Sequence, residues 1–253
     1  MSTYVSPAIR CALTQSVLRS WCKSRRHVVV CGSLTSHHGT RNRSTAAEEA
    51  KPFHRYLDAS DAATEDILAR DMIIHEDFLS AEEEKSLLDE VEPYMKRLRY
   101  EHDHWDDAIH GYRETERRKW NERNMTILQR VKDLAFPPGT PQLAYIHILD
   151  ISKEGYIKPH VDAVRFCGNT IAGLNLLSSA VMKLVHEKDK DRFASILLRQ
   201  RSLYIMKDSA RYDYTHEVLP ESQSRFRGQV IPRDRRMSII CRNEPLPEHT
   251  SDS

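Results

Sequence analysis

From Gln142 onward the hydrophobic positions come in short, β-prone runs separated by polar and turn-forming residues. The runs cover 145–149, 156–160, 170–177, 181–186, 195–199, 202–206, 214–219, 229–231 and 237–241. Many short strands at near-even spacing predict an all-β sandwich, barrel or jelly roll. Ahead of them the period changes. Leu87, Leu88, Val91 and Tyr94 recur at helical spacing behind a Ser80-Ala81-Glu82-Glu83 capping box, which predicts a helix over 81–95. Met125, Leu128, Val131 and Leu134 predict a second helix over 121–135, ended by Pro137-Pro138-Gly139. Residues 71–74 read as a first short strand, 48–70 as a linker and 244–253 as a polar tail. The aromatic, highly charged stretch 99–120 shows no clear period.

Composition changes the picture most at the N-terminus. Residues 1–47 hold seven Lys and Arg and no acidic residue. Taking those seven from the chain's 38 leaves 31 against 37 acidic residues, a net charge of −6 over 48–253. A basic, Ser/Thr-rich, acid-free start is the composition of a mitochondrial transit peptide, with a disordered basic tail as the alternative. The acidic remainder lacks the basic stripe expected of a phosphate-binding surface. No apolar run approaches the roughly 20 residues needed to cross a bilayer. The five cysteines form no CxxC pair, so neither a disulfide framework nor a cysteine zinc site is expected.

The candidate chemistry lies in histidines and arginines. Three H-x-D triplets occur: His75-Glu76-Asp77, His104-Trp105-Asp106 and His160-Val161-Asp162. The last follows a β-prone run, and strand alternation would aim His160 and Asp162 to one side. A third ligand should come from a distant strand, with His216 preferred and His186 the rival. Two histidines and a carboxylate can hold one face of iron(II) and leave three positions open. Zinc and manganese accept the same donors. Along 236–242, Arg236, Ser238, Ile240 and Arg242 fall on one strand face, and Met237, Ile239 and Cys241 on the other. Two cations on an inward face call for an anion, which a dicarboxylate keto-acid would supply. The alternative is an edge strand with its basic face in water.

The segments 155–162, 209–216 and 236–242 together resemble the AlkB family of iron(II)/2-oxoglutarate dioxygenases, and the likeness is strongest to its mitochondrial branch. Residues 100–111 and Phe166-Cys167-Gly168 carry that last resemblance, which runs over about 70 to 243. It implies a mainly β fold with flanking helices (α+β), a double-stranded β-helix or jelly roll over 71–243. It implies Fe(II) held by His160, Asp162 and His216, and 2-oxoglutarate held by Arg236, Arg242, Tyr204 and Ser238. His147 and Leu149 stand on the strand where relatives place further cosubstrate contacts. Asp208 stands where relatives often carry glycine. The implied reaction couples decarboxylation of 2-oxoglutarate by O2 to oxidation of a C–H bond. A protein is the expected substrate, and methylated bases in mitochondrial RNA are the less favoured one. Trp105, Tyr112 and Trp120 are expected to pack as core rather than to stack bases. A mitochondrial matrix location, with roles in fatty-acid metabolism and programmed necrosis, follows from the resemblance alone.

Overall fold

The computed structural model describes residues 54–102 and 108–247, so the basic segment 1–47 and the triplet at 104–106 lie outside it. The described chain opens with β1 (Leu57–Ala59), α1 (Ala62–Asp71) and β2 (Met72–His75). Most of what reads as linker is therefore structured. Asp61 caps α1 by accepting from the Thr64 amide at 2.9 Å, and Leu57 and Leu68 enter the core. Two apolar anchors among polar neighbours are too sparse to produce a visible period.

Helices α2 (Ala81–Met95) and α3 (Glu122–Ala135) form where the periodicity places them, with the Ser80–Glu83 capping box closed in both directions. The buried faces are shifted, however: Leu87, Val91 and Met95 of α2 and Ile127, Leu128, Val131 and Ala135 of α3 enter the core, while Tyr94, Met125 and Leu134 are exposed. Between them β3 (Ile109–Arg117) fills the stretch that shows no period. Beyond Tyr112, which enters the core, the strand is polar on both faces, and its arginines pair with acids of other elements. Arg113 Nε donates to Asp150 and Arg117 Nη2 to Glu90, each at 2.7 Å.

The sheet continues with β4 (Ile146–His160), β5 (Thr170–Leu176), β6 (Ala180–His186), β7 (Phe193–Leu198) and β8 (Ser202–Lys207). A short helix α4 (Asp208–Tyr212) leads into β9 (Tyr214–Val218). A small hairpin, β10 (Arg225–Phe226) and β11 (Gln229–Val230), precedes β12 (Arg236–Arg242). The expected strands 145–149 and 156–160 are one strand, because β3 pairs along it from Ile146 to Ile157. Asp208 takes φ 47°, in the left-handed region that favours glycine and that Asp tolerates better than most side chains.

Strand order is β1-β7-β6-β9-β4-β12-β5-β8-β2, with β3 also on β4 and every pairing antiparallel. β4 pairs β12 through its first half and β9 through its last residues, so the sheet curls about it into the half-barrel of a jelly roll. β12 has β4 on one side and β5 on the other, which excludes a water-facing edge strand. Its Met237, Ile239 and Cys241 pack outward beneath Leu87, Val91, Leu128 and Val131 of α2 and α3. Each such side chain contributes roughly 1.5–3 kcal/mol by leaving water. The polar face of β12 turns into the curl.

Candidate metal centre and cosubstrate site

β4 ends at His160, and β9 sets His216 directly opposite it. The two ring centroids are 4.2 Å apart. Asp162 lies two residues past the strand end, so alternation on β4 does not aim it. Its Oδ1 is 3.4 Å from His160 Nε2, and its Oδ2 is 3.8 Å from Arg242 Nη2. One donor atom from each of His160, Asp162 and His216 lies within 4.8 Å of the others. Among the described residues no other group of three His, Cys, Asp or Glu side chains meets so closely.

The hydrogen bonds around these donors prepare them. His160 Nδ1 sits 2.9 Å from the Lys158 carbonyl, which can only accept, so the proton is on Nδ1 and Nε2 keeps its lone pair. Burial, then the neighbouring His160 ring, hold the His216 imidazole down at about 3. It is neutral at physiological pH and has no proton to displace. Burial alone would raise the Asp162 carboxyl. The neighbouring His160 and the Arg242 guanidinium overcome this and hold it well below the carboxylate range. Two neutral imidazoles and one carboxylate suit a divalent transition metal.

The rivals are elsewhere. His186 Nδ1 accepts the amides of Lys188 and Asp189 and so closes the turn after β6, with its ring edge-on to Tyr214. His75 packs its ring near Phe78, and Asp77 takes a turn conformation at φ 52°.

Arg236 is 2% exposed, and its Nε donates to Asn175 Oδ1. Burial lowers its pKa, opposed only by Tyr204, with no carboxylate beside it among the described residues. Ser238 Oγ, next along the same face, is buried without a hydrogen-bond partner. Tyr204 on β8 reaches this space because Gly173 on β5 has no side chain; a Cβ there would strike the ring. Arg242 Nη1 lies 3.3 Å from His147 Nδ1. Since arginine only donates, the His147 proton is on Nε2, which donates to Glu114 at 2.8 Å. Burial would lower the Arg242 pKa, but Asp162, Cys167, Tyr204 and Glu114 outweigh it.

All of these groups except Asn175 and Gly173 line one cavity of about 400 Å³, with Leu149, Ile157, Met182 and Val218 as apolar wall. Glu114 and Glu116 of β3 line it too, as do the exposed rings of Tyr145 and Phe166. Tyr112 and Trp120 are buried in the core instead, and Trp105 lies outside the described residues. Asn175, Gly173, Glu114 and Glu116 escape sequence reasoning. The one signal for the last two is that strand alternation puts Glu114 and Glu116 on one face and Arg113 and Arg117 on the other. A buried cation without an acid, an orphan hydroxyl beside it and a His-Asp-His donor set fit iron(II) with a keto-diacid.

Comparison with known proteins agrees with that fit. The profile of the 2OG-Fe(II) oxygenase superfamily matches residues 22–242. The chain is 50% identical over 190 residues to the mouse protein called "Alpha-ketoglutarate-dependent dioxygenase alkB homolog 7, mitochondrial", covering 75% of this chain and 86% of that one. The cattle protein of the same name is 51% identical over 173 residues, covering 68% and 78%. In fold, the chain is similar to a Trichoplax adhaerens prolyl hydroxylase at a TM-score of 0.53 and 11% identity, over 77% of this chain and 93% of that one.

Proposed function

We propose, since the chain belongs to the 2OG-Fe(II) oxygenase superfamily and so is a dioxygenase that uses Fe(II) and 2-oxoglutarate, that His160, Asp162 and His216 hold the metal. Arg236 would pair with the far carboxylate of 2-oxoglutarate, Tyr204 and Ser238 would add hydroxyl hydrogen bonds, and Arg242 would steady the keto-acid end. His147 and Leu149 would complete the same wall. The observation that carries this reading is Arg236: a sealed guanidinium with an amide oxygen but no acid to meet it.

When bound, iron and keto-acid supply activation of O2 coupled to release of succinate and CO2, which drives oxidation of a C–H bond. The chain's own groups bind, orient and exclude water. His216 enters the site neutral, and Asp162 enters it ionised. Glu114 fixes the His147 tautomer, and His147 in turn accepts from Arg242, so the arginine beside Asp162 cannot swing freely. The apolar wall keeps bulk water from the reacting end.

For the substrate we infer a protein. Glu114 and Glu116 along the cavity would repel a phosphate backbone, and Tyr112 and Trp120 are committed to the core. Demethylation of bases in mitochondrial RNA is the second reading, favoured by the exposed rings of Tyr145 and Phe166 on the same cavity. We place the enzyme in the mitochondrial matrix, with 1–47 as its targeting segment and the catalytic domain over 71–243 extended back to 57. Roles in fatty-acid metabolism and programmed necrosis belong to the same reading. The test supplies protein, Fe(II) and 2-oxoglutarate with either mitochondrial protein extract or methylated RNA oligonucleotides. Hydroxylated protein that disappears in His160→Ala supports the first reading. Formaldehyde from the RNA that disappears in the same variant replaces it with the second.

A further inference from the structure

Arg211, on α4, is among the largest side chains sealed completely from solvent. Its Nε and Nη1 have no hydrogen-bond partner, and Nη2 donates to Cys167 Sγ at 3.3 Å. Among the described residues no nitrogen of this guanidinium meets a carboxylate. A buried cation without an anion is costly, and a neutral thiol together with the Tyr212 ring, 5.0 Å from Cζ, offsets the charge less than a carboxylate would. Cys167 is in turn part of the wall of the cavity that holds His160, Asp162 and His216. Burial and the Asp162 charge push its thiol up, against the lesser pull of Arg211 and Arg242. The protonated thiol is a poor nucleophile toward peroxide arriving from bulk water. Oxygen delivered inside the cavity does not meet that barrier.

We propose that Cys167 is an internal oxygen acceptor of this enzyme: when no substrate fills the cavity its sulfur is oxidised, and Arg211 holds the resulting anion. The inference rests on the dioxygenase reading above. In each round 2-oxoglutarate loses CO2 and becomes succinate, taking one atom of O2, while the other atom forms an S–O bond. Two of the four electrons that O2 accepts come from the keto-acid carbon–carbon bond that breaks, and two come from sulfur. The first product is a sulfenic acid that keeps the thiol hydrogen; a second round gives a sulfinic acid, which releases its proton to water. One sulfinate oxygen would take the Nη2 group that already meets the sulfur, and the other an N–H on the same edge of the guanidinium, from Nε or Nη1, which now lacks an acceptor. The product is irreversible without a dedicated reductase, so it would retire molecules that consume keto-acid without substrate.

Cys241 supplies an internal control. It is equally buried, but on the outward face of β12 beneath the helices. The full chain, loaded with Fe(II), is incubated with 2-oxoglutarate and isotopically heavy O2 without substrate, with catalase removing bulk peroxide. Peptide mass spectra should show labelled oxygen on Cys167 in about tenfold excess or more over Cys241, lost when 2-oxoglutarate is omitted. Succinate formed with Cys167 unlabelled, or equal label on both cysteines, overturns the inference and leaves the dioxygenase reading standing. No succinate at all sinks both. In Arg211→Met the oxidation should stop at one oxygen; sulfinate accumulating as in the wild type would remove Arg211 from the proposal.

Discussion

Arg236 is the residue whose loss should weaken cosubstrate binding most. Truncating one partner of a buried charge pair costs about 2 kcal/mol or more, roughly thirtyfold in affinity. Arg236→Gln should therefore raise the 2-oxoglutarate KM by about that factor, read from succinate release at saturating iron. His216 sets a pH dependence. Its imidazole takes a proton near 6.5 in the unfolded chain and only at about 3 in the folded one. Between those values the unfolded state binds more protons, so stability of the metal-free protein falls as pH drops from 6.5 toward 3. One proton gives a slope of at most about 1.4 kcal/mol per pH unit. Urea midpoints measured near neutrality and again about two pH units lower should fall more for the wild type than for His216→Asn.

At the scale of elements, the two faces of β12 should separate stability from catalysis. Leu87→Ala, in α2 above the outward face, should cost about 2–5 kcal/mol in urea unfolding yet leave cosubstrate affinity unchanged. A shift in the 2-oxoglutarate KM would mean that the outer core transmits strain to the site. The alternation of Met237, Ile239 and Cys241 against Arg236, Ser238 and Arg242 is legible in the sequence because one face is apolar and the strand is short. The capping box of α2 is legible for a similar local reason. β3 is not, because its arginines find Asp150 and Glu90 while its carboxylates turn to the cavity, so neither face carries a hydrophobic signal. The aim of Asp162 is equally hidden. It comes from tertiary neighbours, His160 and Arg242, rather than from any strand period. Gly173 and Asn175 matter through Tyr204 and Arg236, and such cross-strand partners cannot be seen along one chain.

For the whole molecule, the basic segment 1–47 should act independently of the catalytic fold. Fused ahead of a fluorescent reporter, it should carry the reporter to mitochondria. Replacing Arg10, Arg19, Arg25 and Arg26 by Ala should leave the reporter in the cytosol, as expected of a signal read through its positive charge. β4 carries His160 at its end while its earlier residues are laced to β12, where Arg236 sits opposite Ile151. The spacing between His160 and Arg236 is thus a property of ladder registry, not of side chains able to adjust. Keto-diacids one carbon shorter or longer than 2-oxoglutarate should bind at one end and miss at the other, and competition assays should show them as poor fuels rather than alternative ones.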